Sequence, residues 1–141
     1  MCVELVKILL LPALGIETIH KKATFDYYDN DPLIVVTLIN SVLRKRHKAC
    51  AYLDTGSDAV VIPEDIWFKL GLDKDFMASV SVVGDTVNTW YTFIDLEFLQ
   101  NRHKYVEVFY NDAAGDILIG RNILDEYSIT FDGRNSKLYI G

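Results

Sequence analysis

One tetrapeptide of the chain carries residues that could do chemistry. Asp54-Thr55-Gly56-Ser57 lies between two short apolar runs. An apolar strand leading into such a loop would hold the carboxylate rigidly, and a glycine without a Cβ lets backbone or ligand approach closely. Thr55 offers a hydroxyl for a fixed hydrogen bond, and Ser57 could donate one to the carboxylate. The same residues also suit an ordinary turn in which an aspartate bonds its own backbone, so both interpretations stay open at this point.

A second motif follows later in the chain, at Asp116–Leu124. Ile117–Ile119 is fully apolar and too short for a helix, which is typical of a buried strand. Gly120 comes next, and a short helix is predicted over Arg121–Glu126. This second motif thus reads as a buried strand, a glycine and the start of a helix. It is the observation that makes a functional interpretation of the first motif stronger.

Together, Leu53–Asp58 and Ile119–Leu124 resemble the paired motifs of the retropepsin-like aspartic proteases. That family has Asp-Thr/Ser-Gly after an apolar strand, and late in the chain two hydrophobic residues followed by Gly, often continued as Gly-Arg-Asn/Asp. Ile129–Arg134 also resembles the closing hairpin of prokaryotic single-domain members. The resemblance covers about residues 26–141. It implies an all-β, closed β-barrel-like retropepsin (acid protease) fold with one or two short helices and a single lobe per chain.

The resemblance also implies an activity and a partner. Aspartic proteases use two carboxylates facing one water, and the pair shares one proton because like charges about 3 Å apart cannot both ionise. This sequence has one Asp-Thr-Gly, since Asp85-Thr86 is followed by Val87 and Asp132-Gly133 lacks the Thr. The expectation is therefore a homodimer in which two copies of Asp54 form the pair. It would be an aspartic-type endopeptidase that cleaves a polypeptide substrate without a cofactor.

Two alternatives stay open beside this activity. One is a catalytically weak binding module that retains the fold and presents a peptide groove. The other is a self-processing maturation factor. The intact Asp54-Thr55-Gly56 favours the peptidase.

The resemblance assigns roles to the residues around the carboxylate. Thr55 matches a Thr whose hydroxyl bonds to the partner's loop across the dimer, and Gly56 matches a residue whose carbonyl meets the substrate backbone. Asp58 matches a position that binds the substrate main chain and pairs with the Arg of the second motif, here Arg121. Gly120 would let the late strand pack closely behind the active-site loop. Structural support is thus expected from three residues: Ile119, Gly120 and Arg121.

A mobile hairpin, or flap, is expected to cover the cleft and exclude water. It is placed around Val82–Val87, with Val82, Val83 and Gly84 contacting substrate and Gly84 at the tip. The alternative is an ordinary exposed turn.

Ser57 permits a sharper hypothesis about pH. A hydroxyl donated to the outer oxygens of the carboxylate pair would favour its ionised form. The sequence therefore predicts that the natural protein acts at more acidic pH than its Ser57→Ala variant.

The elements that position these residues are mostly short strands. Apolar or β-branched runs predict them at Ala23–Tyr28, Leu33–Ile39, Ala49–Leu53, Ala59–Ile62, Trp90–Phe98, Tyr105–Tyr110, Ile117–Ile119, Ser128–Phe131 and Lys137–Ile140. Pro63-Glu64-Asp65 starts a helix, because Pro suits the first helical position and acids favour the N-terminal end. Gly71 ends that helix.

The composition limits the other functions. The chain has 141 residues, 14 Lys+Arg against 20 Asp+Glu, and half of its residues are apolar. Such a length supports one core and one domain, and the net charge of −6 argues against nucleic acid as the partner. Two cysteines are too few for a disulfide framework or a four-ligand zinc site, so no metal is expected. Cys50 is interpreted as a buried thiol.

The histidines and the basic run are interpreted as structural rather than functional residues. His20, His47 and His103 are dispersed beside Lys or Arg and are interpreted as surface residues. Arg44–Lys48 is interpreted as a charged hairpin tip, with steering of an acidic substrate or partner, or self-cleavage within the run, as the alternatives.

Residues 1–22 match nothing in the family pattern and are interpreted as an N-terminal extension of a domain over 23–141. Their apolar run, Ile8–Ile16, is shorter than the about 20 residues of a spanning helix. Membrane association is therefore not expected, and a cytoplasmic location is. An interfacial anchor or an uncleaved signal stays open.

Overall fold

A computed structural model describes residues 7–10, 21–113 and 115–141 of the chain. The strands are β1 (Lys7–Leu10), β2 (Lys21–Asp26), β3 (Leu33–Asn40), β4 (Lys45–Leu53), β5 (Val60–Pro63), β6 (Phe76–Val82), β7 (Asp85–Phe98), β8 (Asn101–Asn111), β9 (Ile117–Ile119), β10 (Ile129–Asp132) and β11 (Lys137–Ile140). The helices are α1 (Glu64–Lys69) and α2 (Arg121–Leu124). The prediction of an all-β chain with two short helices is confirmed.

Six strands close into a barrel in the order β3-β4-β9-β5-β8-β7, because β7 pairs back onto β3. The β4–β9 and β5–β8 pairs are parallel, and the other pairs of the ring are antiparallel. Strand β6 extends from β7 outside the ring as one arm of a hairpin. The closed barrel expected from the sequence is thus present.

A separate four-stranded sheet, in the order β1-β2-β11-β10, joins the two ends of the described chain. Strand β2 pairs with β11 from Ala23↔Ile140 to Asp26↔Lys137. Strand β1 adds to the other side of β2. Four residues of the expected N-terminal extension therefore form a strand, and the expected boundary at residue 23 falls inside β2.

The core lies inside the barrel and under α1. Period-two alternation along β3 buries Ile34, Val36 and Leu38. Trp67 of α1 is fully buried against the barrel and contacts Tyr110 edge to face, with ring centroids 5.5 Å apart. Burying each such side chain contributes roughly 1.5–3 kcal/mol. The barrel is therefore the rigid body that holds the loops at its ends.

The predicted elements are correct in type and differ in length. The tip of the β3–β4 hairpin is Ser41–Arg44, and Lys45 to Lys48 belong to β4, so the interpretation of Arg44–Lys48 as a hairpin tip is wrong. Lys45 pairs with Asn40 across the hairpin, and the next residues of β4 continue that register along β3. Charged side chains are tolerated there because they lie on the exposed side of a strand. Helix α1 begins at Glu64, because Pro63 is its N-cap and the last residue of β5 rather than the first helical residue. Gly71 follows the helix as predicted, at φ +65°.

None of the helices within the described ranges is long and apolar enough to cross a bilayer.

Candidate active site

The loop at Asp54 is fixed by its own hydrogen bonds. Asp54 follows β4 directly, and its N–H donates to the carbonyl of Ile119 at 2.9 Å. The Gly56 N–H donates to Oδ1 of the Asp54 carboxylate at 2.9 Å, and the Ser57 N–H donates to the Asp54 carbonyl at 3.2 Å. A Cβ at Gly56 would lie 3.2 Å from that carboxylate oxygen. The loop therefore holds a half-buried carboxylate in one orientation, while Thr55 and Gly56 stay exposed.

The second motif is joined to this loop through backbone hydrogen bonds. The Arg121 N–H donates to the Ser57 carbonyl at 2.8 Å, and the Asn122 N–H donates to the Asp58 carbonyl at 3.0 Å. A Cβ at Gly120 would lie only 2.3 Å from the carbonyl oxygen of Ala59. The close packing expected at Gly120 is therefore observed, and β9 with the start of α2 supports the Asp54 loop from behind.

The Asp58–Arg121 ion pair predicted from the sequence is present. The Asp58 carboxylate hydrogen-bonds the Arg121 guanidinium and raises its pKa further above the ordinary arginine value. The two side chains are 83% and 53% exposed, so water screens much of their attraction. The pair fixes the orientation of two side chains at the mouth of the loop rather than adding much stability.

The expected hydrogen bond from Ser57 to the carboxylate is wrong. The Ser57 hydroxyl donates to the carbonyl of Ala59 at 2.7 Å. That carbonyl lies two residues away within the same loop, where a short side chain reaches it easily. Ser57 thus closes the turn into β5 and leaves the carboxylate to the Gly56 N–H.

A continuous row of apolar side chains, all half-buried except the exposed Phe76, begins beside Asp54 and was not predicted from the sequence. Strand pairing places its members side by side: Tyr52↔Leu118, Leu118↔Val61, Val61↔Phe109, Phe109↔Tyr91 and Tyr91↔Phe76. Tyr52 lies two residues before Asp54, hence on the same side of the chain. The intervening residues, such as Leu53, Val60 and Ile119, point into the core.

This row forms an apolar wall next to the carboxylate. Its aromatic members are in contact, with ring centroids 5.9 Å apart for Tyr91 and Phe109 and 5.6 Å for Phe76 and Tyr91. Period two counted back from Asp54 would have found Tyr52, but the other members depend on strand register, which the sequence does not give.

The hairpin of β6 and β7 projects from the barrel where a flap was expected. Val82 pairs with Asp85, and the turn between them is Val83-Gly84, with Gly84 at φ +79°. Val83 is fully exposed, and a Cβ at Gly84 would meet nothing within 4 Å. The exposed turn lies where the flap was predicted, and its motion and its contact with substrate stay predictions.

Two other sequence interpretations concern titratable side chains. Burial raises the pKa of the half-buried Cys50 thiol, the opposite of the shift that activates a nucleophilic cysteine. The prediction of a surface His103 is wrong, because only 12% of its side chain is exposed and its Nε2 lies 2.7 Å from the Tyr127 hydroxyl. His47 is half-buried on β4, and His20 lies outside the described residues.

No group of three or more His, Cys, Asp or Glu side chains within the described ranges could hold a metal ion.

Comparison with solved structures gives two similar proteins. One is a retropepsin-like aspartic protease from Rickettsia conorii, with a TM-score of 0.61 and 11% identity over 99% of this chain and 96% of that one. The other is EIAV protease complexed with the inhibitor HBY-793, with a TM-score of 0.52 and 19% identity over 70% of this chain and 88% of that one. No family model matches the chain, and no curated protein matches it in sequence.

These likenesses concern the fold, since both identities are low. They agree with the closed six-strand barrel, and they bear out the resemblance that the two motifs carry. The chain has the retropepsin-like aspartic protease fold.

Proposed function

We propose that the chain is an aspartic endopeptidase that acts as a homodimer, with Asp54 of each copy supplying one catalytic carboxylate. The observation that carries this proposal is the Asp54 loop itself. One chain holds a single carboxylate rigidly on a glycine-containing loop, with Gly56 donating to one oxygen and with the second motif bonded behind it. A two-fold axis beside the exposed Thr55 and Gly56 would bring a second such loop into contact.

The proposed mechanism needs only the two carboxylates and a water. At 3 Å or so, the pair shares one proton because two adjacent negative charges are unfavourable. The ionised member accepts a proton from the water, whose oxygen attacks the scissile carbonyl carbon. The protonated member donates its proton to the carbonyl oxygen, and collapse of the tetrahedral intermediate transfers a proton to the leaving nitrogen.

The apolar row beside Asp54 supports a polypeptide substrate with large apolar side chains near the scissile bond. Tyr52, Leu118 and Val61 are half-buried in the single chain, so an apolar side chain placed on them would leave water. The β6–β7 hairpin would cover the bound peptide, and Asp58, held by Arg121, would contact its main chain.

The test is cleavage of an unfolded protein at mildly to strongly acidic pH, with and without a statine-type inhibitor. Asp54→Asn should abolish inhibitor-sensitive cleavage, because an amide cannot accept the proton. The matched control is Asp73→Asn, which makes the same change at an exposed loop position and should cleave like the natural protein.

Cleavage by the Asp54→Asn variant at the natural rate would refute the proposal. Cleavage by neither protein, with inhibitor binding retained by the natural protein, would favour a peptide-binding module with the same fold.

A further inference from the structure

The end of the barrel remote from Asp54 is basic, although the chain as a whole is acidic. Six of the 14 Lys and Arg residues meet there, on the β3–β4 hairpin and the start of β8. This surface, called the basic end below, consists of Arg44, Lys45, Arg46, Lys48, Arg102 and Lys104. Pairing of β3 with both β4 and β7 brings the two segments together.

The acids within the basic end are already paired. Asp95 is 7% exposed and accepts hydrogen bonds from Arg102 at 2.8 and 3.1 Å. Glu97 pairs with Arg46 at 2.8 Å. The basic end therefore keeps a net positive charge that these carboxylates do not cancel.

Two further segments border the basic end: the residues after α2 and the end of α1. After α2, Glu126 lies 3.6 Å from Nδ1 of His103 and lowers the local positive charge by one. At the end of α1, Lys45 lies next to Gly71. Lys69 and Asp73 flank Gly71 with opposite charges, so together they leave the local net charge unchanged.

Exposed apolar side chains project from the same end. In the hairpin tip Ser41–Arg44, Val42 is 88% exposed, whereas Leu43 packs its Cδ1 against Gly71 and is 52% exposed. Tyr105 is 82% exposed and faces Ser41 across a polar cavity of about 390 Å³, which Asp95, Arg102 and Lys104 also line. Exposed aliphatic side chains and an exposed aromatic ring thus lie beside the cations of the basic end.

We propose that the basic end binds the surface of a bilayer that contains anionic lipids. Val42 and Leu43 would enter the boundary between headgroups and acyl chains, and the cations would face the anionic headgroups. Tyr105 would lie at headgroup level, where a ring with a polar tip is favoured. Exposed aliphatic side chains beside cations match the two layers of a bilayer surface, which favours a bilayer over an acidic peptide as the partner.

The position of the basic end makes this binding compatible with an open active site. Strand β4 runs from Lys45 to Leu53, so at about 3.3 Å per residue the members of the basic end on β4 lie roughly 20 to 30 Å along the strand from Asp54. The net negative charge on the rest of the chain favours binding through the basic end over binding through other surfaces. Lack of a spanning helix does not bear on such peripheral binding.

The test is flotation of the full chain with vesicles of phosphatidylcholine alone or mixed with phosphatidylserine. We expect binding only to the mixed vesicles, decreasing as salt is raised. Arg44→Glu and Lys104→Glu should each lower the partition coefficient about tenfold, and Val42→Asp about fivefold. Arg134→Glu, in the exposed β10–β11 turn, makes the same change in net charge and should lower it less than twofold.

Several results would overturn the proposal. They are absence of flotation with the mixed vesicles, equal losses in Arg44→Glu and Arg134→Glu, or unchanged binding in all of Arg44→Glu, Lys104→Glu and Val42→Asp. The last result would indicate binding through another segment, such as the N-terminal apolar run. Retained peptide cleavage in the variants would show that the surface acts independently of the proposed active site.

Discussion

Gly120 gives the most quantitative prediction, because its environment forbids even one methyl group. A Cβ there would lie 2.3 Å from the carbonyl oxygen of Ala59 and 2.6 Å from its carbonyl carbon and its nitrogen. The backbone of Gly120, at φ −93° and ψ −175°, is ordinary for alanine. The effect of Gly120→Ala is therefore a steric clash rather than backbone strain.

The size of the effect follows from the atoms that must move. Ordinary contacts begin at 3.4 Å, so the Ala59 backbone has to retreat by about 1 Å. That segment also carries the hydrogen bonds from Arg121 to Ser57 and from Asn122 to Asp58. Overpacking of this kind costs typically about 1–3 kcal/mol, and loss of one such bond adds about 1 kcal/mol. We expect Gly120→Ala to lower the free energy of unfolding by about 3 kcal/mol and to abolish peptide cleavage.

Urea unfolding followed by tyrosine and tryptophan fluorescence measures the stability, and cleavage of an unfolded protein measures the activity. Gly133→Ala is the control, because a Cβ at Gly133 meets nothing within 4 Å. The free energy of unfolding of this variant should change by less than about 0.5 kcal/mol. If Gly120→Ala unfolds at the same urea concentration as Gly133→Ala and still cleaves, the packing of the two motifs has been misread.

Three further predictions concern side chains around and beyond the site. Ser57→Ala should lower the free energy of unfolding by about 1 kcal/mol, because the Ala59 carbonyl loses its donor. It should leave the pH dependence of cleavage unchanged. A shift of the pH–rate profile would show that the hydroxyl reaches the carboxylate after all. Arg121→Gln should lower the free energy of unfolding, measured in urea, by less than about 1 kcal/mol, because the pair with Asp58 is largely exposed. It should nevertheless raise KM more than it lowers kcat. A stability loss of several kcal/mol would contradict this. Desolvation raises the pKa of Tyr110 to about 12. The neutral Tyr110 phenol therefore contributes fully to stability below pH 10, and this contribution is lost as pH rises towards 12. Ultraviolet titration should show one fewer late-titrating tyrosine in Tyr110→Phe, and an unchanged number would refute the shift.

The sequence predicts those parts of the fold that short segments determine. Ile117–Ile119 is apolar at every position because it is a central strand, and such a run is recognisable by itself. Helix α1 follows from Pro63, its two leading acids and the glycine behind it. The pairing of Asp58 with Arg121 came from the family resemblance, since nothing local joins residues so far apart in the chain.

The sequence does not predict features that depend on how distant strands align. His103 lies between Arg102 and Lys104, which suggested a surface position, but period two turns it to the other side of β8, where Tyr127 covers it. The apolar row has the same origin, because only the register of β4, β9 and β5 puts Tyr52 beside Leu118. The hydroxyl of Ser57 had two acceptors within reach, and residue type alone could not choose between them.

The central claim, that two copies of Asp54 form one active site, is tested most directly by mixing subunits. The natural protein and Asp54→Asn are unfolded together in equal amounts, refolded, and assayed for cleavage at constant natural protein. If each site needs Asp54 from both copies, about one quarter of the dimers carry an intact pair, and activity per natural subunit falls to about half. A further excess of the variant should lower it towards zero. Activity that stays constant at every ratio would show that one chain holds a complete site and would contradict the account.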